Sequence, residues 1–276
     1  MGRFSEARLQ RPTVRIGWIA PRVIIGVAFI ATVYVGAILL TDARFANTLG
    51  WDLSIYRDAA QRWLSGSWFY YPEQVAGPYE LTNGHVLYPP PVLLLFVPFT
   101  VLPVILWWLV PLTVIVWRIV ALRPSAWAWA GMAACLAYPP TVELTISGNP
   151  LLWVVAALAL ATRWPWVSVL VFAKPSLLPF AFYGVRHRSW WVALGACALI
   201  SLAFLPMWSD WFTVLVNARG RLVTLGYSAS NVPMMLIPIV AWIGRTKATA
   251  SGRREGGQGE TGARDGQLGC TPRGDR

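Results

Sequence analysis

Long apolar runs separated by short basic clusters organise this chain. The run from Val23 to Leu40 follows a basic segment and lacks a small-x-small cleavage site, so it reads as a retained signal-anchor helix over about Val23 to Thr41. Arg3, Arg8, Arg11, Arg15 and Arg22 precede it against one acid, Glu6, which puts the N-terminus in the cytoplasm. Pro91 to Leu122 is apolar except for Arg118 and is broken by Pro98, Pro103 and Pro111. At ~1.5 Å per residue it is too long for one straight span and short for two. One crossing and two both stay open. Ala126 to Ile146 is the next span, broken at Pro139-Pro140 and leading to Gly148-Asn149-Pro150 at the outer face, and Leu151 to Thr162 returns to Arg163. Trp166 to Gly184 carries Lys174-Pro175 in its middle and ends at Arg186-His187-Arg188, a pattern that predicts a re-entrant or Pro-broken hairpin. Trp190 to Trp208 crosses outward, and Val232 to Gly244 is a short last span ending in Arg245 and Lys247.

Between the first two apolar runs lies a long outer segment, residues 42–91, rich in aromatics and acids. Trp51 to Leu64 has helical spacing and Ser65-Gly66-Ser67 closes it. Trp51, Ile55, Tyr56, Ala59 and Trp63 can share one side, which predicts a short helix on the membrane surface. Gly77-Pro78 and Asn83-Gly84 mark turns. Ser209 to Ser230 is a second outer loop. The tail from Ala248 has eight Gly, five Arg and four acids with almost no apolar residues, so it is expected to be disordered. The domain reading is therefore a membrane domain over residues 1–247 and a polar tail over residues 248–276.

Composition strengthens this reading. The chain is 56% hydrophobic and 13% charged, with 17 Trp and a mean hydropathy of +0.52. Water-soluble domains are about 25% charged. The expected fold class is therefore an all-α integral membrane bundle with several spans. The formal charge of +11 comes from clusters between apolar runs, as topology signals do, and nucleic-acid binding is not expected. Cys135, Cys197 and Cys270 have no zinc or disulfide spacing.

Candidate chemistry is sparse. There is no P-loop, dinucleotide Gly fingerprint, His-Glu-x-x-His, Gly-x-Ser-x-Gly or Asp-x-Asp, and no metal or cofactor is expected. Asp52 stands where it could take a proton from an acceptor hydroxyl, and its bland alternative is a helix N-cap. Asp58 has Arg62 four residues on, an ordinary surface pair. Tyr70-Tyr71 and Tyr88-Pro89-Pro90 offer rings for sugar stacking or for an interfacial aromatic belt. Lys174 is a cation inside an apolar segment, able to hold a phosphate or pair with an acid, or else to snorkel. Arg219 and Arg221 could bind a phosphate bidentately or contact anionic headgroups. His85 lies in the outer loop and is kept as a candidate; His187 sits in a basic cluster and reads as topological.

Taken in order, Asp52-Leu53-x-x-Tyr56, Ser65-Gly66, Tyr70-Tyr71, Tyr88-Pro89-Pro90, Gly148-Asn149 and Lys174-Pro175 resemble glycosyltransferase family 87, the polyprenyl-phosphate-mannose-dependent α-mannosyltransferases of the GT-C fold class. The resemblance runs from about Gly50 to Asn231. It implies a cell-membrane enzyme, active on the outer face, that moves a mannose-like sugar with inversion from a polyprenyl-phosphate donor to an envelope glycolipid or glycan. Asp52 would be the general base. Tyr56, Tyr88, His85, Asn149 and Lys174 would line the substrate site, with Arg219 and Arg221 added from charge placement. The sequence has Gly148-Asn149-Pro150 where the family pattern has Gly-Gln-x-Asn, and a polar tail where C-terminal spans would follow, so it reads as a truncated member. Two rival readings are a transporter or lipid flippase, which predicts an internal repeat that is not found, and an inactive truncated transferase.

Overall fold

The computed structural model describes residues 49–82, 84–220 and 229–246, with isolated helical positions between residues 26 and 37. The proposed first span, Arg221 and the polar tail fall outside the described residues. The chain divides into Met1–Arg245 and Thr246–Arg276, and the elements below belong to the first unit.

Trp51–Leu64 forms helix α1, entered through Gly50 in the left-handed region at φ +72°. Pro72–Ala76 is a short helix, α2, with Pro at its first position. The strand β1, Tyr79–Glu80, follows. A continuous coil of 3₁₀, α and 3₁₀ turns then covers Pro90–Val92, Leu93–Phe96 (α3) and Val97–Thr100. Beyond a break at Pro103 comes the long helix α4, Leu106–Leu122, which carries Pro111 in its interior. Ala126–Ala137 (α5) and Pro139–Ile146 (α6) are separated at Tyr138, because Pro139 and Pro140 suit only a helix start. Leu151–Ala161 is α7. A nine-residue 3₁₀ segment, Pro165–Ala173, leads through Pro175–Leu177 into α8, Leu178–Ala181, and Phe182–Gly184. Arg188–Leu202 (α9), Leu205–Asn217 (α10), the strand β2 (Ala218–Arg219) and Val232–Ile243 (α11) complete the order.

The bundle has two apolar centres. One surrounds α7, which is apolar all round and buried along nearly its whole length, as such helices must be. Helices α4 and α11 and the Pro165–Ala173 segment pack on it, and α11 packs in turn on α5. The other gathers Leu53, Tyr56, Ala59 and Ala60 of α1 with Phe69, Tyr88, Phe96, Phe99, Trp107 and Trp211. Trp108 packs against both. The strands form one parallel pair, with Tyr79 opposite Ala218 and Glu80 opposite Arg219.

The long 3₁₀ segment is unusual, since such runs rarely exceed a few residues. The Ser168 hydroxyl holds it together. Its Oγ lies 2.9 Å from the Pro165 carbonyl and 2.8 Å from that of Ala181, and it accepts from the Gly184 N–H at 3.2 Å. Trp190 Nε1 also donates to the Ala181 carbonyl. A Cβ on Gly184 would fall 2.1 Å from the Pro165 oxygen, so only glycine fits there.

These elements correct the expected fold class. Among the described residues no single helix is long and apolar enough to cross a membrane. The residues read as spans are divided instead: Ala126 to Ile146 into α5 and α6, and Pro91 to Leu122 into a turn-rich coil and α4. Two helix pairs would reach the necessary length and composition only together, α6 with α7 and α9 with α10, and they are bent by 106° and 95°. The multi-span GT-C-like bundle is therefore not the architecture found. Trp51–Leu64 is helical, but it does not present the expected side to a surface. Tyr56 and Ala59 are buried in the bundle beside Leu53, while Trp51 and Trp63 are exposed. Much of the predicted second outer loop is the body of α10.

Candidate functional site

Asp52 occupies the first turn of α1, and the N-cap position belongs to Gly50. The cap alternative therefore fails, and the carboxylate is free for other work. Its position is set from below by the turn between α6 and α7. The N–H groups of Gly50 and Asp52 donate to the carbonyls of Ile146 and Ser147, at 3.0 and 2.9 Å. The same turn returns two side-chain bonds: Ser147 Oγ donates to Asp52 Oδ2 at 2.9 Å, and Asn149 Nδ2 donates to the same oxygen at 2.7 Å.

Gly148 makes that convergence possible. It sits at φ +72°, where side chains are strained, and a Cβ there would stand 2.9 Å from Trp108 and 3.2 Å from Leu53. Two indoles clamp the turn from the other side. Trp107 Nε1 donates to the Gly148 carbonyl and Trp108 Nε1 to that of Thr145, each at 2.7 Å. Asn149 is buried, and its Oδ1 accepts from the Leu151 N–H at 3.0 Å, so one end of the amide holds the first N–H of α7 and the other holds Asp52.

The other members arrive from distant segments. Tyr88, buried, directs its hydroxyl at Asn149 Oδ1 from 3.5 Å. Its ring meets Tyr56 edge-on at 5.3 Å, and Tyr56 stacks on Phe96 at 4.7 Å. Tyr70 fixes the segment by donating to the Tyr88 carbonyl at 2.7 Å. The Lys174 ammonium lies 5.9 Å from the centre of the Tyr88 ring and 3.5 Å from Asn231 Oδ1. It emerges between Ala173 and Pro175, where the 3₁₀ segment breaks.

Electrostatics follow from burial. Desolvation pushes the Asp52 carboxyl above the usual carboxylate range, and the bonds from Asn149 and Ser147 and the charge of Lys174 oppose it. Burial brings Lys174 down to about 8, with Asp52 opposing the shift. Glu143, on α6, is raised by burial and then by the Asp52 charge. Burial has thus moved an acid and a base in one half-buried cluster toward neutrality together.

The structure brings together Asp52, Tyr56, Tyr88, Asn149 and Lys174 of the residues named from the sequence. It leaves His85 and Arg219 elsewhere. His85 Nδ1 accepts from the Thr82 N–H at 3.1 Å, its Nε2 lies 4.0 Å from Glu73, and its ring packs on Tyr79. Arg219 is exposed on β2 and bonds the carbonyls of Val216 and Ala218. Asp58 does not hold Arg62, whose guanidinium instead covers the Tyr71 ring at 4.1 Å and donates to the Tyr71 hydroxyl. Sequence reading passed over Ser147 and Asn231. Ser147 adjoins Gly148-Asn149, and a polar triplet between two apolar helices was the available signal; nothing local marked Asn231. Among the described residues no group of His, Cys, Asp or Glu is placed to hold a metal ion.

No protein-family model, curated protein or solved structure matches the chain. The resemblance to glycosyltransferase family 87 is thereby corrected, and the enzyme class that rested on it goes too. The polyprenyl-phosphate sugar donor, the glycolipid or glycan acceptor and the bilayer entered only through that resemblance and the expected spans, neither of which stands. The multi-pass cell-membrane placement and the transporter or flippase reading required the same spans.

Proposed function

We propose that the cluster around Asp52 is a small-molecule site, in which Asp52 accepts a proton or hydrogen bond from a ligand hydroxyl and Lys174 holds a negatively charged oxygen of the same ligand. One observation carries this reading. Ser147 and Asn149 both donate to Oδ2 of Asp52, so one oxygen is pinned and Oδ1 is left as an oriented acceptor. A carboxylate satisfied on both oxygens would be a structural tie. A carboxylate held by one oxygen, next to a lysine lowered to about 8, is equipped to meet a donor and an anion side by side. Tyr88 faces the Lys174 ammonium with its ring and Asn149 with its hydroxyl, and Asn149 and Ser147 act as positioning residues.

The chain's two lysines, Lys174 and Lys247, make a direct test practical. Reductive ¹³C-methylation gives each lysine its own resonance and keeps its charge. Glycerate, with hydroxyls beside a carboxylate, is the probe, and propionate is the control without hydroxyls. Glycerate should shift the Lys174 signal saturably and leave Lys247 unmoved, and Asp52→Asn should weaken it at least tenfold. Equal affinity for propionate, or a Lys174 signal that neither compound moves, would remove the reading.

A further inference from the structure

At the other end of α7 from Asn149, about 16 Å along an eleven-residue helix, lies a second group of charges that the Asp52 cluster does not use. Arg118, on α4, is only 7% exposed. Its Nη2 donates to Thr162 Oγ1 at 3.0 Å, its guanidinium stands 5.2 Å from the Trp117 ring, and its Nε is buried with no partner. Arg163, adjacent to Thr162, acts on it with the same sign, and burial and this repulsion both lower its pKa. Tyr183 is in the field of both Arg118 and Arg245. The Tyr183 ring meets Trp242 at 5.4 Å, and the Arg245 guanidinium covers the same indole at 4.4 Å. Arg245 is also bridged to Pro124, just beyond the end of α4.

A guanidinium cannot shed its proton in a protein, so a buried one needs a counter-charge. None is supplied among the described residues. The described carboxylates are Asp52, Asp58, Glu73, Glu80, Glu143 and Asp210, and none is paired with Arg118, Arg163 or Arg245. On an adjoining turn Ser125 Oγ is likewise buried without a partner. The missing component is therefore negative, and it must offer several acceptor oxygens to three guanidinium groups and the Tyr183 hydroxyl; the Thr162 hydroxyl already donates to the Ala159 carbonyl at 2.7 Å and serves only to hold Arg118. A monocarboxylate has two oxygens and one charge. A phosphate dianion fits better in both respects.

We infer that Arg118, Arg163, Arg245 and Tyr183, with Thr162 positioning Arg118, form an anion site that takes a phosphate group, free or on a small phosphomonoester. The site is independent of the Asp52 cluster, and either can fail alone.

Inorganic phosphate titrated against the full chain at constant ionic strength, with chloride as the replacement ion, tests it. Thermal midpoint and ³¹P line width are the readouts. Phosphate should raise the midpoint saturably while chloride does not, and glycerol 3-phosphate should compete. Arg163→Gln and Arg245→Gln alter exposed side chains, so their folding is not at stake, and each should weaken phosphate at least tenfold. Arg118→Met should abolish the response. Equal responses to phosphate and chloride, or unchanged affinity in both Gln variants, overturn the inference. A chain that sediments with phosphatidylcholine vesicles containing phosphatidic acid, yet ignores both soluble phosphates, overturns it as well.

Discussion

Lys174 carries a measurable penalty for its surroundings. Its pKa in the folded chain, about 8, lies below the usual 10.5 that the unfolded chain would show. Between those values the unfolded state binds more protons than the folded one, so Lys174's contribution to stability improves as pH rises through this window. Below pH 8 the full cost applies, roughly 3 kcal/mol for a lowering of this size. Lys174→Met should therefore be more stable than wild type at pH 7, by up to that amount, and its advantage should shrink between pH 8 and 10.5. Urea midpoints at a series of pH values would show it, and a difference that ignores pH would rule out burial of charge as the cause. Asp52 has the opposite linkage: its raised pKa makes stability fall as pH climbs from 3.8 through the folded value. At this scale the sequence was informative where a residue's type clashed with its neighbours. A lysine amid apolar residues and an acid before a helical run both stood out. Ser147, an ordinary serine, did not, because its role depends on a carboxylate 95 positions away.

The turn between α6 and α7 is the element on which the Asp52 cluster rests. It brings a left-handed glycine, two indole clamps and two side-chain donors into six consecutive residues, Thr145 to Pro150. Gly148→Ala should cost about 1–3 kcal/mol, through positive φ and the approach of Trp108. It should also widen the Asp52–Asn149 spacing enough to change the Lys174 resonance. Urea denaturation together with the lysine spectrum checks both, and a variant within ~0.5 kcal/mol of wild type would show that the turn can relax. Much of the helical inventory was legible here: Gly and Pro pairs mark the breaks at Pro139-Pro140 and Gly148-Asn149-Pro150, and Ser65-Gly66 marks the end of α1. What hydropathy could not convey was length. Apolar runs that read as continuous spans break at some prolines, as at Pro103 and Pro139, while α4 runs on through Pro111 and α11 through Pro238, and the angles between the pieces are decided by packing, not by local sequence. Nor could it assign the 3₁₀ segment from Pro165 to Ala173, whose stability comes from Ser168 reaching carbonyls on both sides.

At the scale of the whole molecule, the parallel strand pair is small but joins distant parts of the chain. Around it Tyr79 donates to the Val214 carbonyl, Trp211 Nε1 to that of Leu87, and Asn217 Nδ2 to those of Gln74 and Val75. These bonds connect positions 124 to 143 residues apart, so the part carrying α1, α2 and β1 cannot complete its own hydrogen bonding. Composition pointed to the abundance of apolar residues but was silent on this pairing, since two-residue strands leave no periodic signal. Synthesis on a ribosome imposes an order on the same feature. The segment from Trp51 to Val92 leaves the exit tunnel well before α10 does, and at ~5–20 residues per second it waits several seconds with the Leu87 and Gln74 carbonyls unclaimed. Nascent chains stalled shortly after Ile200 emerges should thus be cut by protease between α2 and Tyr88, whereas those stalled after residue 246 emerges should resist. Equal resistance in both would mean that the early segment folds without its later partner. The register of two short strands, Tyr79 and Glu80 with Ala218 and Arg219, makes completion of the segment from Trp51 to Val92 a late event in translation.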